Sequence, residues 1–164
     1  MELDQIIRVI RALNEQEVHY VVVGGIAVNF QGIPRYTEDL DLIVRPTDEN
    51  ISNLRRALKS VYTDPSIEEL TADELRSYSV VRYGAPDGFY IDLMAKLGDF
   101  ASYDDILSET IEIEGTPVKT ATVEALHWMK RDTVRQKDKA DARLLRELMR
   151  MIETGKVQDD DPPV

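Results

Sequence analysis

Two carboxylates two residues apart, Asp39 and Asp41, are the first groups in this chain that could do chemistry. In a strand, side chains alternate between faces, so both acids emerge on one side while Leu40 and Leu42 turn to the other. Two carboxylates about 4 Å apart repel by about 4 kcal/mol at an effective dielectric near 20. The pair therefore calls for a cation, a proton or full solvation. Oxygen-only ligation favours Mg²⁺ or Mn²⁺ over zinc. The bland alternative is a solvated Asp-x-Asp at a turn or strand edge, and the pair alone does not decide.

Asp92, in Tyr90-Ile91-Asp92-Leu93-Met94, is the third candidate. It shares a strand face with Tyr90 and Met94, and a carboxylate among apolar neighbours is costly unless compensated. Either Asp92 lies in water on an edge strand, or its strand lies beside that of Asp41. In the second case three acids can hold two divalent ions, about 4 Å apart, for in-line phosphoryl transfer. Gly24-Gly25 ends an apolar run and lets backbone N–H groups approach a phosphate, although it is also an ordinary turn signal. There is no Gly-x-Gly-x-x-Gly and no Walker-type lysine, which argues against dinucleotide-binding and P-loop folds.

The elements that must position these residues follow from apolar spacing. Leu3, Ile6, Ile7, Ile10 and Leu13 predict an amphipathic helix over 2–16. Tyr20–Val23 reads as a buried strand, followed by a short helix from Ile26 to Gln31, then a strand from Leu40 to Val44. Thr47 or Asp48 caps a helix carrying Ile51, Leu54, Leu58 and Val61. Thr71 opens a capping box. Ser79–Tyr83 and Phe89–Met94 form a hairpin through Pro86-Asp87-Gly88, and Thr110–Ile113 and Val118–Thr120 form another around 114–117. Thr122 caps a helix to about Val134, and a last helix runs from Asp138 to Thr154. The expectation is one α/β domain over 1–155, with its C-terminal helices beginning near 122. An acidic disordered tail follows over 156–164.

Bulk composition bounds the function. The chain has 164 residues, 43% hydrophobic and 31% charged, which suits a soluble globular domain. No run approaches the roughly 18 apolar residues of a membrane span. The acidic start, Met1-Glu2-Leu3-Asp4, is unlike a secretory signal, and the absence of cysteine excludes thiolate sites and disulfides. The expected compartment is the cytoplasm. A net charge of −11 argues against a broad nucleic-acid-binding surface. Yet Lys130–Arg150 holds eight Lys/Arg against four acids. A local basic segment on an acidic body suits a triphosphate or an RNA end, or it is simply a solvated helix face.

Taken together, Val23-Gly24-Gly25-Ile26-Ala27, then Gly32, Arg35, Thr37 and Asp39-Leu40-Asp41-Leu42, resemble the nucleotidyltransferase superfamily that includes DNA polymerase β. The Gly-Gly-x-Ala and Arg-x-Thr-x-Asp-Leu-Asp forms look like its branch of AbiEii-type toxins and related bacterial nucleotidyltransferases. Glu124-Ala125-Leu126, Lys130, Arg135, Lys137-Asp138 and Asp141 are similar to that branch's C-terminal lysine and Lys-Asp-x-x-Asp signature.

The resemblance implies a nucleotidyltransferase fold, a mixed sheet flanked by helices, and Mg²⁺-dependent transfer of a nucleoside monophosphate from an NTP with release of pyrophosphate. Asp39, Asp41 and Asp92 would be the metal-binding and catalytic acids, with Asp92 also helping to deprotonate the acceptor hydroxyl. Gly24, Gly25, Arg35, Thr37, Lys130 and Lys137 would bind nucleotide. Many members have Gly-Ser where this chain has Gly24-Gly25, so a serine contact to phosphate is missing. The acceptor is left open between an RNA 3′ end, a partner protein and a small molecule, as is a place in a toxin–antitoxin system.

Several residues keep two readings. Arg35 can reach phosphate or pair with Glu38 or Asp39. Thr37 can bind or merely brace the turn. In one continuous helix Lys130, Lys137 and Asp141 would share a face, with Lys137–Asp141 an i,i+4 pair. Asp138 and Asp141 are left undecided between structure and site. His127 and Trp128 read as packing residues, and His19 has no evident partner. The rival function is a non-catalytic, partner-regulated interaction module of the same fold.

Overall fold

A computed structural model describes residues 2–97, 101–130 and 136–154, and the side chains of Lys130 and of 136–138 lie outside the described set. The expected tail over 156–164 also lies outside it.

Six strands make one mixed sheet. They are β1 (Tyr20–Val23), β2 (Asp39–Val44), β3 (Val81–Gly84), β4 (Tyr90–Met94), β7 (Ser108–Ile113) and β8 (Thr116–Ala121), in the order β3-β4-β2-β1-β8-β7. Two short strands, β5 (Lys96–Leu97) and β6 (Ala101–Ser102), pair separately. β1 runs antiparallel to β2 and parallel to β8, while β4 runs parallel to β2 and antiparallel to β3.

The helices are α1 (Leu3–Glu15), α2 (Gly24–Phe30), α3 (Asp48–Val61), α4 (Ala72–Ser77), α5 (Val123–Lys130) and α6 (Gln136–Glu153). α1 packs with α3, α2 with β2 and α5, and α5 with α6. Ile10 and Leu13 of α1, Ile51, Leu54 and Leu58 of α3, and Leu40 and Leu42 of β2 are all essentially inaccessible to solvent. Removing those side chains from water is the main force holding the helices to the sheet. No described helix is long and apolar enough to cross a membrane.

Helix starts follow side-chain chemistry. Thr47, not Asp48, caps α3 by accepting from the Asn50 N–H at 3.2 Å. Thr71 and Thr122 accept equivalent bonds from Glu74 and Ala125, at 3.2 and 3.1 Å. α2 begins at Gly24, two residues before the apolar spacing predicts. The second hairpin is tighter than expected, its turn reduced to Glu114-Gly115. Both turn residues have positive φ, 49° and 76°, matching the right-handed twist of the flanking strands.

The His19 ring meets that of Tyr103 edge-on, with centroids 6.2 Å apart, and its backbone is tied to Asn50. The buried Asn50 side chain accepts from the His19 N–H at 2.7 Å and donates to the carbonyls of His19 and Arg45, at 3.0 and 2.9 Å. One amide thereby ties the entry of β1 to the exit of β2.

Candidate active site

The parallel pairing of β2 and β4 brings the acids together. Asp41 stands opposite Asp92 in register, and Asp39 opposite Tyr90. β4 lies between β2 and β3, so the edge-strand alternative for Asp92 does not hold. Asp92 is buried, at 8% relative exposure, while Asp39 and Asp41 are half-buried. Across the sheet the register continues as Val23–Asp41–Asp92–Arg82, one residue from each of four neighbouring strands.

Arg82 is the residue that the sequence reading overlooked. Its Nε donates to Asp92 Oδ1 at 2.8 Å and its Nη2 to Asp92 Oδ2 at 3.0 Å, a two-pronged guanidinium–carboxylate contact. The same Nη2 lies 3.0 Å from Asp39 Oδ2, so Asp39 and Asp92 share one cation. Hydrogen bonding to Asp92, with the charges of Asp92 and Asp39, pushes the already high guanidinium pKa further up. The guanidinium also sits over the Tyr90 ring, 4.9 Å from its centre. A signal was available: in a hairpin centred on Asp87, positions 82 and 92 are equidistant from the turn and therefore face each other.

The glycine pair is fitted to the acids. Gly24 has φ +68°, and an ideal Cβ there would lie 2.0 Å from Asp41 Oδ2. A Cβ on Gly25 would meet the Thr37 side chain at 3.1 Å. Thr37 in turn donates from its hydroxyl to the Asp39 carbonyl at 3.2 Å, so it braces the entry to β2.

Arg35 pairs with Asp141 of α6, rather than with Glu38 or Asp39, and both side chains are largely buried. That contact gives Asp141 a structural part, anchoring α6 to the loop that leads into β2. Lys130 ends α5 and Lys137 lies in the first turn of α6. Their side chains, that of Asp138 and residues 131–135 lie outside the described residues, so neither the continuous-helix idea nor the Lys137–Asp141 pair is resolved.

Gly24, Gly25, Arg35, Thr37, Asp39, Asp41, Arg82 and Asp92 all line one open cavity of about 680 Å³. Met94, Leu97, Leu126 and Met129 give it an apolar wall. Convergent polar groups together with an apolar lining are the usual plan of a small-molecule site. The acids suit a hard divalent cation in kind, being oxygen donors on one face of adjacent strands. They are not gathered as a ready cage: among the described residues no group of three or more His, Cys, Asp or Glu is poised to hold a metal. Arg82 supplies the positive charge between Asp39 and Asp92 in the structure.

A family model described as nucleotidyl transferase AbiEii toxin, type IV TA system, matches residues 8–150. No curated protein sequence matches significantly. Among solved structures, the lincosamide antibiotic adenylyltransferase LnuA, with lincomycin bound, is similar at 12% identity and TM-score 0.62, covering 90% of this chain and 98% of that one. ANT(2″)-Ia, in complex with adenylyl-2″-tobramycin, is similar at 19% identity and TM-score 0.55, covering 92% of each chain. An antigenic nucleotidyltransferase-like protein from Paracoccidioides brasiliensis is similar at 19% identity and TM-score 0.54, over 90% of this chain and 76% of that one. At these identities the likeness is one of fold: a mixed sheet flanked by helices.

Proposed function

The chain belongs to the AbiEii nucleotidyl transferase family, and from that premise we propose a divalent-metal-dependent enzyme that moves a nucleoside monophosphate from an NTP to a hydroxyl acceptor. The observation that carries this reading is the in-register placement of Asp41 beside Asp92, with Asp39 on the same face, in a cavity that also contains Gly24-Gly25.

Asp39, Asp41 and Asp92 would hold Mg²⁺ or Mn²⁺, which stabilises charge on the reacting phosphate and on the departing pyrophosphate. Asp92 accepts the proton of the acceptor hydroxyl as its oxygen bonds to the α-phosphorus and the bond to pyrophosphate breaks. Gly24 and Gly25 admit the triphosphate close to the backbone; a side chain at Gly24 would collide with Asp41, and one at Gly25 would press tightly on Thr37. Thr37 and Arg35 form the adjoining wall, and Lys130 and Lys137 bring positive charge from the C-terminal helices. The apolar wall of Met94, Leu97, Leu126 and Met129 packs against the base or the acceptor.

Residues 1–155 form the catalytic domain in this reading, working in the cytoplasm as part of a toxin–antitoxin system. The acceptor is an RNA 3′ end, a hydroxyl of a partner protein or a small molecule. ATP is the first donor to test. The chain is incubated with each labelled NTP, Mg²⁺, and total cell RNA or lysate. Label should pass to one class of acceptor with the wild type and not with an Asp39→Ala/Asp41→Ala double variant. No transfer by the wild type, or equal transfer by both proteins, removes the reading.

A further inference from the structure

β3 is one of the two outer strands of the sheet, and Arg82 reaches inward from it over the acid face. Its position is over-determined. It faces Asp92 directly across the strand pair, grips both oxygens of that carboxylate, takes an oxygen of Asp39 with the same nitrogen, and stacks on Tyr90. Three carboxylate oxygens of the proposed metal site are thus engaged by a cation that belongs to the protein. A divalent ion seeking those oxygens meets a guanidinium of like charge already among them. Each carboxylate oxygen keeps a second lone pair, so the conflict is one of like charge at close range, and it is relieved when the guanidinium moves away from the incoming ion.

We propose that Arg82 is the built-in counter-cation of the acid cluster and competes with divalent metal for Asp39 and Asp92. It holds the acids in register while no metal is bound, and it withdraws from at least one of them when metal enters. Arg82 is half exposed, at 52% for the side chain, whereas Asp92 beneath it is at 11%. The arginine, not the aspartate, is therefore the partner with room to move. Tyr90, itself 41% exposed, offers the guanidinium a flat surface along which to retreat. In this scheme Arg82 is a positioning residue that sets how tightly the site takes its metal. The inference rests on the proposed metal-binding role of the three aspartates.

The test is a titration of the full chain with Mn²⁺ alone, following loss of the free-ion electron paramagnetic resonance signal. Arg82→Ala should bind Mn²⁺ about tenfold more tightly than the wild type, because the binding-competent arrangement no longer waits on displacement of the guanidinium. Arg82→Lys keeps the charge but loses the fork and should fall between the two. Thermal melting gives an independent readout: Arg82→Ala should melt lower than the wild type without metal and gain more from Mn²⁺. Adding Asp39→Ala/Asp41→Ala to the Arg82→Ala chain should abolish the tight site. Equal or weaker binding by Arg82→Ala, while the wild type binds, overturns this inference and leaves the metal site standing. Tight binding that survives loss of Asp39 and Asp41 also overturns it, since the metal then sits elsewhere. No binding by either protein overturns the metal site and the inference together.

Discussion

The Asp41 carboxylate lies against the α-carbon of Gly24, so close that a Cβ added there would stand 2.0 Å from Oδ2. Gly24 also has φ +68°, a backbone conformation that costs an L-residue with a side chain about 1–2 kcal/mol. Gly24→Ala therefore cannot be absorbed by a small shift. The Asp41 side chain has to rotate away, or the junction of β1 and α2 has to open. Transfer of labelled nucleotide should fall about a hundredfold or more, the scale of losing one well-placed catalytic group. The melting temperature should fall as well. A variant with wild-type rate would show that the position of Asp41 does not matter.

Asp92→Asn should separate the charge of this residue from its place in the fold. The amide is nearly isosteric and keeps an oxygen for Arg82, so the chain should remain folded by circular dichroism. Asparagine cannot accept the acceptor's proton and is a poorer ligand for a hard cation, so kcat should drop about 10²-fold or more. Chelation of divalent metal from the wild type should abolish transfer, and added Mg²⁺ or Mn²⁺ should restore it. Persistence of turnover in excess chelator would contradict the use of metal.

Arg35 and Asp141 make a different kind of pair, far apart in sequence and mostly shielded from water. Removing Arg35 takes the guanidinium away from a buried carboxylate, and breaking such a buried pair costs on the order of 3 kcal/mol. Arg35→Ala should lower the melting temperature by about 6 °C or more for a chain of this size. The Arg35→Ala/Asp141→Ala double variant should be less unstable than the sum of the single variants, because each single variant already loses the same contact. Simple additivity would mean that the two side chains do not depend on each other.

What the sequence could and could not reveal divides along range. Val23-Gly24-Gly25 and Asp39-Leu40-Asp41-Leu42 carry their meaning locally, through alternation and through residues that only a close approach requires. The capping threonines at 47, 71 and 122 are equally local. That β4 would lie parallel to β2, and so place Asp92 opposite Asp41, depends on chain order in the sheet, to which periodicity is blind. The Arg35–Asp141 contact needs α6 to fold back onto the loop before β2. The early start of α2 has a tertiary cause too: glycine disfavours helix, yet Asp41 leaves no space for a side chain at its first position and Thr37 leaves little at its second. Arg82 carries no local signature: an arginine in a strand is ordinary until the hairpin register sets it opposite Asp92.

The phenols provide a test of packing against pH. Tyr62, Tyr83 and Tyr20 are buried, and burial raises the pKa of each, that of Tyr62 to about 12. The negative charge of Asp87 adds to the effect at Tyr62, and a 2.8 Å hydrogen bond donated to Asp64 adds to it at Tyr83. That bond also holds the Asp64 carboxyl below its ordinary value. For the phenols the folded pKa lies above the unfolded value of about 10, so folding favours the protonated form. Their contribution is complete below about pH 10 and is lost as pH rises towards the folded values, because the unfolded chain ionises first. Asp64 behaves oppositely: its contribution is present above the usual carboxylate range and is lost as pH falls through its depressed value. Absorbance at 295 nm should resolve a class of tyrosines, among the seven in the chain, that ionises late and together with unfolding. Ionisation of all seven near pH 10 with the chain still folded would show that water reaches the interface between Tyr62 and Tyr83.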